Sequence, residues 1–310
     1  MKRLLLVAGI LGVCGLSACE RQKVSGCFVG AFLADRPSAA DIDRFQASYG
    51  KKPGLILTFL DWGKYPDEGM VRAVSGRGVS LMVTWEPWVA STQAGIDYDA
   101  FLAGKDDAYI RAFALKMKAL GQPVFLRFAH EMNGDWYPWS CVRISPEKYQ
   151  KLWFHARRIF DQVEAGNVRW VFSLNSENVP LGNDAAFCYP GDRYVDYIGL
   201  DGYNWGTTRT GSRWQSFNDI FFRSYKNVLH YKKPVILSEF SSTSSGGDKA
   251  LWIEKALCDI RRMSAVKGFI LFNVDKETDW RFSSDTESGR RLKRGLKSPY
   301  FVETLQGSLR

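Results

Sequence analysis

Pro123-Val124-Phe125-Leu126-Arg127-Phe128-Ala129, broken off at His130-Glu131-Met132-Asn133-Gly134-Asp135-Trp136-Tyr137-Pro138-Trp139, is the stretch on which the fold turns. A short, almost wholly apolar run that stops at a polar, aromatic loop reads as a strand buried on both faces. A helix follows. Ser145 is its N-cap and Pro146 its first residue, and Tyr149, Leu152, Trp153, Ala156, Ile159, Phe160 and Val163 recur with a 3.6-residue period until Gly166. The unit is therefore strand, loop, helix. Seven more runs of the same kind flank it: Cys27–Leu33, Gly54–Leu60, Val79–Trp85, Val168–Leu174, Val195–Leu200, Pro234–Ser238 and Val266–Phe272. Asp106–Leu120 and Asp248–Met263 carry the same helical period, and Ser241–Gly247 reads as a flexible loop. Eight alternations in series predict an α/β fold, a single-domain (β/α)8 TIM barrel, with a doubly wound open sheet as the second arrangement.

Length and composition agree with one large barrel. The chain has 310 residues, is 45% hydrophobic and 24% charged, and so can bury a core. Lys2 and Arg3 precede an apolar stretch from Leu4 to Gly15, and Leu16-Ser17-Ala18-Cys19 resembles a bacterial lipobox. The expected organisation is a lipoprotein signal peptide at 1–18, a tether at 19–26 and the (β/α)8 domain at 27–310. Lipidation of Cys19 would hold the protein at the bacterial envelope, in the periplasm or on the outer surface, with no other membrane contact. Setting aside Lys2 and Arg3 lowers the formal charge from +9 to +7, and the basic residues are scattered. No nucleic-acid module is recognisable, and the expected state is a monomer. With no CxxC and no Cys/His ligand spacing, neither a metal nor any other cofactor is expected. Cys141 and Cys188 fall in successive loops on one face and are the expected disulfide. Cys27 and Cys258 are expected as buried thiols, and His155 and His230 as surface residues.

In such a barrel, reactive groups follow the C-terminal ends of the strands. Those ends carry Asp61-Trp62, Trp85-Glu86-Pro87-Trp88, the 130–139 loop, Glu177, Asp201-Gly202-Tyr203-Asn204-Trp205, Glu239 and Asp275 to Trp280. Trp62, Trp85, Trp88, Trp136, Trp139, Trp205 and Trp280 thus gather on one rim. Indoles interleaved with acids suit a sugar chain, whose C–H faces pack on rings while its hydroxyls bond to carboxylates and amides. Glycosidic cleavage needs two carboxyls across one bond. Glu131 and Glu239 are the best pair, because each ends an apolar strand abruptly. Glu86, Glu177 and Asp201 compete on position alone. Strand alternation puts Arg127, Ala129 and Glu131 on one face, so Arg127 points into the barrel and needs a carboxylate partner.

The run Phe125 to Trp139, with its His130-Glu131-Met132-Asn133-Gly134 core, resembles the pattern of glycoside hydrolase family 26. Val235-Ile236-Leu237-Ser238-Glu239-Phe240 and Asp201-Gly202-Tyr203-Asn204-Trp205 are similar to the same family's strand-seven and strand-six motifs. The resemblance covers about residues 27 to 285. It implies a barrel that hydrolyses β-linked polysaccharide with retention, with Glu131 as acid/base and Glu239 as nucleophile. It implies too that His130 and Trp136 help form sugar subsites, that Tyr203 bonds the nucleophile, that Trp280 and Arg281 line the cleft, and that Arg127 is the family's strand-four arginine. Retention calls for carboxyls roughly 5–5.5 Å apart. Trp85-Glu86-Pro87-Trp88 lacks the histidine usual after the strand-three tryptophan in the family's mannanases. That favours mixed-linkage β-glucan over β-mannan, with Glu86 either a hydroxyl ligand or a structural acid. A non-catalytic carbohydrate-binding lipoprotein on the same scaffold is the alternative, whereas a metal-dependent deacetylase would need a His/Asp cluster that only His130 approaches.

Overall fold

The structure, a computed structural model, describes residues 26–304. Cys19, the signal segment and nearly all of the tether lie outside the described residues. Eight parallel strands pair in chain order: β1 (Cys27–Phe32), β2 (Leu55–Asp61), β3 (Ser80–Glu86), β4 (Val124–Phe128), β5 (Val168–Asn175), β6 (Tyr197–Asn204), β7 (Val235–Ser242) and β8 (Val266–Phe272). The ring closes where Phe28 to Phe32 of β1 register with Gly268 to Phe272 of β8. It is a (β/α)8 TIM barrel, and the open-sheet alternative falls with that closure.

Each strand is followed by its helix: α1 (Ala39–Tyr49), α2 (Glu68–Ser75), α3 (Asp107–Ala119), α4 (Pro146–Gln162), α5 (Ala185–Cys188), α6 (Phe217–Val228), α7 (Lys249–Ile260) and α8 (Glu287–Leu296). Local chemistry fixes their starts. Ser145 accepts from the Lys148 amide at 3.2 Å with Pro146 next in line, and Ser216 forms a reciprocal capping box with Asp219 at α6. α5 is the exception, a single turn of four residues.

Period-2 alternation splits the strand side chains into two apolar sets. Phe28, Leu57, Met82, Phe125 and Ile236 fill the barrel interior, while Val29, Ile56, Val83, Leu126 and Leu237 face the helices. Polar inward residues begin one layer higher. Ser173 and Ser238 bond across the barrel at 2.8 Å, and a side chain on Gly199 would collide with both hydroxyls, so glycine is required there.

Several expectations need correction. β6 and β7 run on to Asn204 and Ser242, through the residues read as loop. Ser241 and Ser242 are buried strand residues, not part of a flexible loop, and the Ser241 hydroxyl donates to the Trp280 carbonyl at 2.7 Å. Cys258 is exposed on the outer face of α7, because the helix buries Trp252, Ile253, Ala256, Leu257 and Ile260 instead. His155 is largely covered, pairing with Asp107 of α3 at 2.5 Å and packing on Phe101. Cys27 is buried and His230 is exposed. Cys141 and Cys188 are joined, tying the loop after β4 to α5.

Candidate active site

Glu131 reaches the barrel mouth through a backbone distortion. β4 keeps its alternation through Arg127, inward, and Phe128, outward. Ala129 then adopts φ +46 and joins the outer packing, so Arg127, Ala129 and Glu131 do not share a face as alternation predicts. Glu131 itself has φ +52, in the left-handed region that costs a residue with a Cβ. The neighbouring strands hold this shape: the Ala129 amide donates to the Trp85 carbonyl at 3.0 Å and the Glu131 amide to the Ser173 carbonyl at 2.8 Å. Glu239 arrives by another route. Opposite it, Leu200 registers with Leu237 but Asp201 with Glu239, so Ser238 is an extra residue in β7. This bulge turns both Ser238 and Glu239 inward while Leu237 and Phe240 keep facing the helices.

Beside Glu239 lies Arg127, fully buried. Its Nε donates to Thr84 Oγ1 at 2.8 Å, its Nη1 to Asp201 Oδ2 at 2.8 Å, and its Nη2 to Glu239 Oε1. Tyr203 donates its hydroxyl to the other Glu239 oxygen, Oε2. Burial, and next the Glu239 charge, raise the Tyr203 hydroxyl well above its usual value, so it stays a donor. Glu131 has neutral company: Trp136 Nε1 donates to Oε2 at 2.9 Å and Asn175 Nδ2 to Oε1 at 2.8 Å. Burial first, then repulsion from Glu239, raise its carboxyl from 4.5 to about 7. One carboxylate is clamped by a guanidinium and a phenol, and the other is poised to carry a proton near neutrality.

A cleft of about 370 Å³ opens over this pair. Glu131, Trp136, Tyr203, Trp205 and Glu239 line it, and so do Phe59, Tyr137, Asn175, Arg209 and Lys276, which the sequence reading passed over. Trp136 is 42% exposed, and the Arg209 guanidinium lies over the Trp205 ring. Inward period-2 from Val171 through Ser173 reaches Asn175, so that residue could have been found. Among the described residues no group of three His, Cys, Asp or Glu side chains is arranged to hold a metal ion.

The tryptophan rim is smaller than expected. Trp85 alternates outward from β3 and stacks on Phe113 of α3, with ring centroids 4.4 Å apart and planes 2° from parallel. Trp62 stacks on Trp85 from the other side. Trp88 meets Tyr137 and Trp139 edge-on, and Trp139 is buried beneath Tyr137. Trp280 is buried against Tyr203 and Trp205, supporting the cleft wall from behind. Arg281 turns away to Asp275 and Asp279. Only Trp136 and Trp205 of the seven indoles line the cleft. His130 is buried between Phe59, Tyr137 and Trp139, and burial, then Arg127, push its ring well below 6.5, so the imidazole is neutral. Glu86 is buried at the end of β3, and its burial raises it to about 7. Asp201 lies beneath Arg127, and Glu177 is exposed at the cleft edge.

Comparison with known proteins follows the same lines. The family model for Glycosyl hydrolase family 26 matches residues 73–247. Endoglucanase H of Acetivibrio thermocellus is 42% identical over 274 residues, covering 85% of this chain but 30% of that protein. The mannan endo-1,4-beta-mannosidase of Bacillus subtilis (strain 168) is 30% identical over 276 residues, covering 76% of this chain and 70% of its own. Among solved structures, a Bacillus subtilis mannanase superimposes with a TM-score of 0.67 at 18% identity, over 91% of this chain and 87% of that one. With the family model spanning more than half of it, and a relative matched over most of both lengths, the chain belongs to glycosyl hydrolase family 26.

Proposed function

We propose that the protein is a retaining endo-β-glycanase acting on β-1,4-linked hexose polysaccharide, mixed-linkage β-glucan first and β-mannan second. The observation that carries this reading is the unequal pair: Glu239 held by Arg127 and Tyr203, and Glu131 held only by neutral donors with its carboxyl raised to about 7. Glu239 attacks the anomeric carbon while Glu131 gives its proton to the departing glycosidic oxygen. The C–O bond breaks and a glycosyl ester of Glu239 forms. Esterification removes the Glu239 charge, which had raised Glu131, so Glu131 becomes the stronger acid and stays ionised. It then takes a proton from water, whose oxygen displaces the ester and returns both groups to their starting states. Carboxyls roughly 5–5.5 Å apart belong to this double displacement.

The preference for glucan rests on Trp85-Glu86-Pro87-Trp88 and on the endoglucanase name of the relative at 42% identity, of whose length this chain spans 30%. Trp136 offers a ring face to the sugars, Trp205 lines the cleft with the Arg209 guanidinium over its ring, and His130, Glu86 and Trp88 shape the floor behind them. Reducing-sugar release from mixed-linkage β-glucan, β-mannan, β-1,3-xylan and cellulose, with Glu239→Ala as control, tests the reading. Cleavage of one β-1,4 polymer, lost in the variant and giving the β-anomer first by proton NMR, is the expected result. Initial release of the inverted anomer would refute the mechanism. Sugar binding without cleavage in the wild type would favour the non-catalytic carbohydrate-binding alternative.

We further propose that Cys19 is lipidated and that the enzyme works from the bacterial envelope. Incorporation of labelled palmitate that disappears in Cys19→Ser is the expected outcome, and equal labelling of both would refute it.

A further inference from the structure

α5 is a single turn where the barrel elsewhere carries longer helices, and beside it a trough of about 660 Å³ runs down the flank between residues 174–186 and α6. Ile220, Ser224 and Val228 of α6 form part of its base, being buried, while Arg223 and Asn227 of the same helix stand along its edge. Residues four apart share a helix face, so the edge from Asp219 to Asn227 is about 12 Å long at 1.5 Å per residue.

The trough adjoins the cleft. Asn175, Ser176, Glu177 and Ile220 line both, so a chain leaving the reactive pair past Asn175 meets the trough next. Its far end is aromatic: Tyr231 is half-buried, with its ring centroid 4.0 Å from that of Tyr189 and 3.9 Å from that of His230. The lining is mixed in character, with Leu181 88% exposed beside it and the side chains of Glu177, Arg223 and Asn227 in no hydrogen bond among the described residues. Isolated apolar faces alternating with free amide, carboxylate and guanidinium groups match the alternating C–H faces and hydroxyls of a sugar chain. Glu177, Asp184 and Asp219 outnumber Arg223 there, which disfavours an anionic ligand.

We propose that this trough is a second saccharide site, holding the continuation of the neutral β-linked chain whose scissile bond lies over Glu131 and Glu239. The proposal rests on the reading of the cleft as a glycan site. A site of this kind strengthens binding of polymers without touching the chemistry. Short substrates that end within the cleft do not sense it.

Two variants test it away from the reacting groups. Ala186→Trp fills the trough from its exposed side, and Arg223→Ala/Asn227→Ala removes the polar edge. In both, KM for the polysaccharide is expected to rise about fivefold, on the scale of one or two lost hydrogen bonds. The kcat, and both constants for a short aryl oligosaccharide, are expected to stay unchanged. An unchanged polymer KM in both variants overturns the proposal, and so does an equal loss on the short substrate. Should the wild type cleave no glycan, the cleft reading fails by itself and retardation in gels containing the polymer decides the trough. Retardation lost in Ala186→Trp upholds it, and none in the wild type refutes it.

Discussion

The ends of β4 and β7 each deliver a carboxyl to the barrel mouth, and they differ in how they do so and in what surrounds the result. At β4 the chain takes two left-handed turns, at Ala129 and Glu131, and the carboxyl lands among an indole and an amide. At β7 one inserted residue, Ser238, turns Glu239 inward onto a guanidinium and a phenol. The first environment favours a carboxyl that keeps its proton, and the second engages each oxygen of its carboxyl as the acceptor of a hydrogen bond. The same functional group is thus set apart by its surroundings, through burial as well as through its neighbours' charges.

The most severe way to break this comparison is Glu239→Ala, which leaves Arg127 without one of its two carboxylates and the proposed reaction without its nucleophile. Hydrolysis is expected to fall by at least about 10⁴-fold, measured as reducing-sugar release by folded protein. A residual rate within a factor of ten would mean that the attacking group lies elsewhere. Glu131→Ala is expected to cost about 10²- to 10⁴-fold on polysaccharide. On an aryl glycoside whose leaving group needs no proton, glycosyl-enzyme formation is expected to stay near the wild-type rate, giving a burst. An equal loss on both substrates would exclude an acid role.

Tyr203→Phe sharpens the contrast from the Glu239 side, since it deletes one donor and leaves the Arg127 clamp. A hydrogen bond to a charged group is worth about 1.5–3 kcal/mol, so kcat is expected to drop by about 10- to 100-fold. Steady-state kinetics on one polymer checks this, and an unchanged kcat would show that Arg127 alone suffices.

The smallest effect concerns pH. The proposed mechanism needs Glu131 protonated for its first step, so activity is expected to decline as pH rises through about 7. The same raised value has a stability consequence of definite sign. Between 4.5 and about 7 the folded state binds a proton that the unfolded chain has released, so this group's contribution falls as pH rises across that window. Glu131→Gln, uncharged at every pH, is therefore expected to melt a few degrees above the wild type at pH 8 and level with it at pH 4. A constant difference at both values would place the cause in packing, not ionisation.

The barrel was legible in the sequence because parallel strands buried on both faces leave continuous apolar runs that intervening helices cannot imitate. Glu131 and Glu239 were legible as abrupt polar stops to such runs. The distortions that aim them were not, since neither Ala129 nor Ser238 is a residue type that announces a left-handed turn or a bulge. Trp85 and Glu86 show a different failure. They are neighbours on one strand, so only one can face the interior, and alternation rather than position at the strand end decides which. Arg281 was placed by family pattern alone, and its own loop supplies two nearer carboxylates. Arg209 went unread because a lone arginine on a loop carries no signal until a fold brings it over a ring, whereas Asn175 ends the inward alternation of β5 and was within reach of the pattern.

Cys258 has a practical consequence. It lies near the end of α7 in a depression shared with Phe301, whose strand pairs with the start of β1, at the pole opposite the cleft. Cys27 is buried and Cys141 and Cys188 are joined, so among the described residues this is the one thiol open to a maleimide. Coupling there would seat each molecule base-down on a bead or sensor chip with its mouth toward the solution, giving an oriented surface on which long glycans could be followed as they arrive and leave.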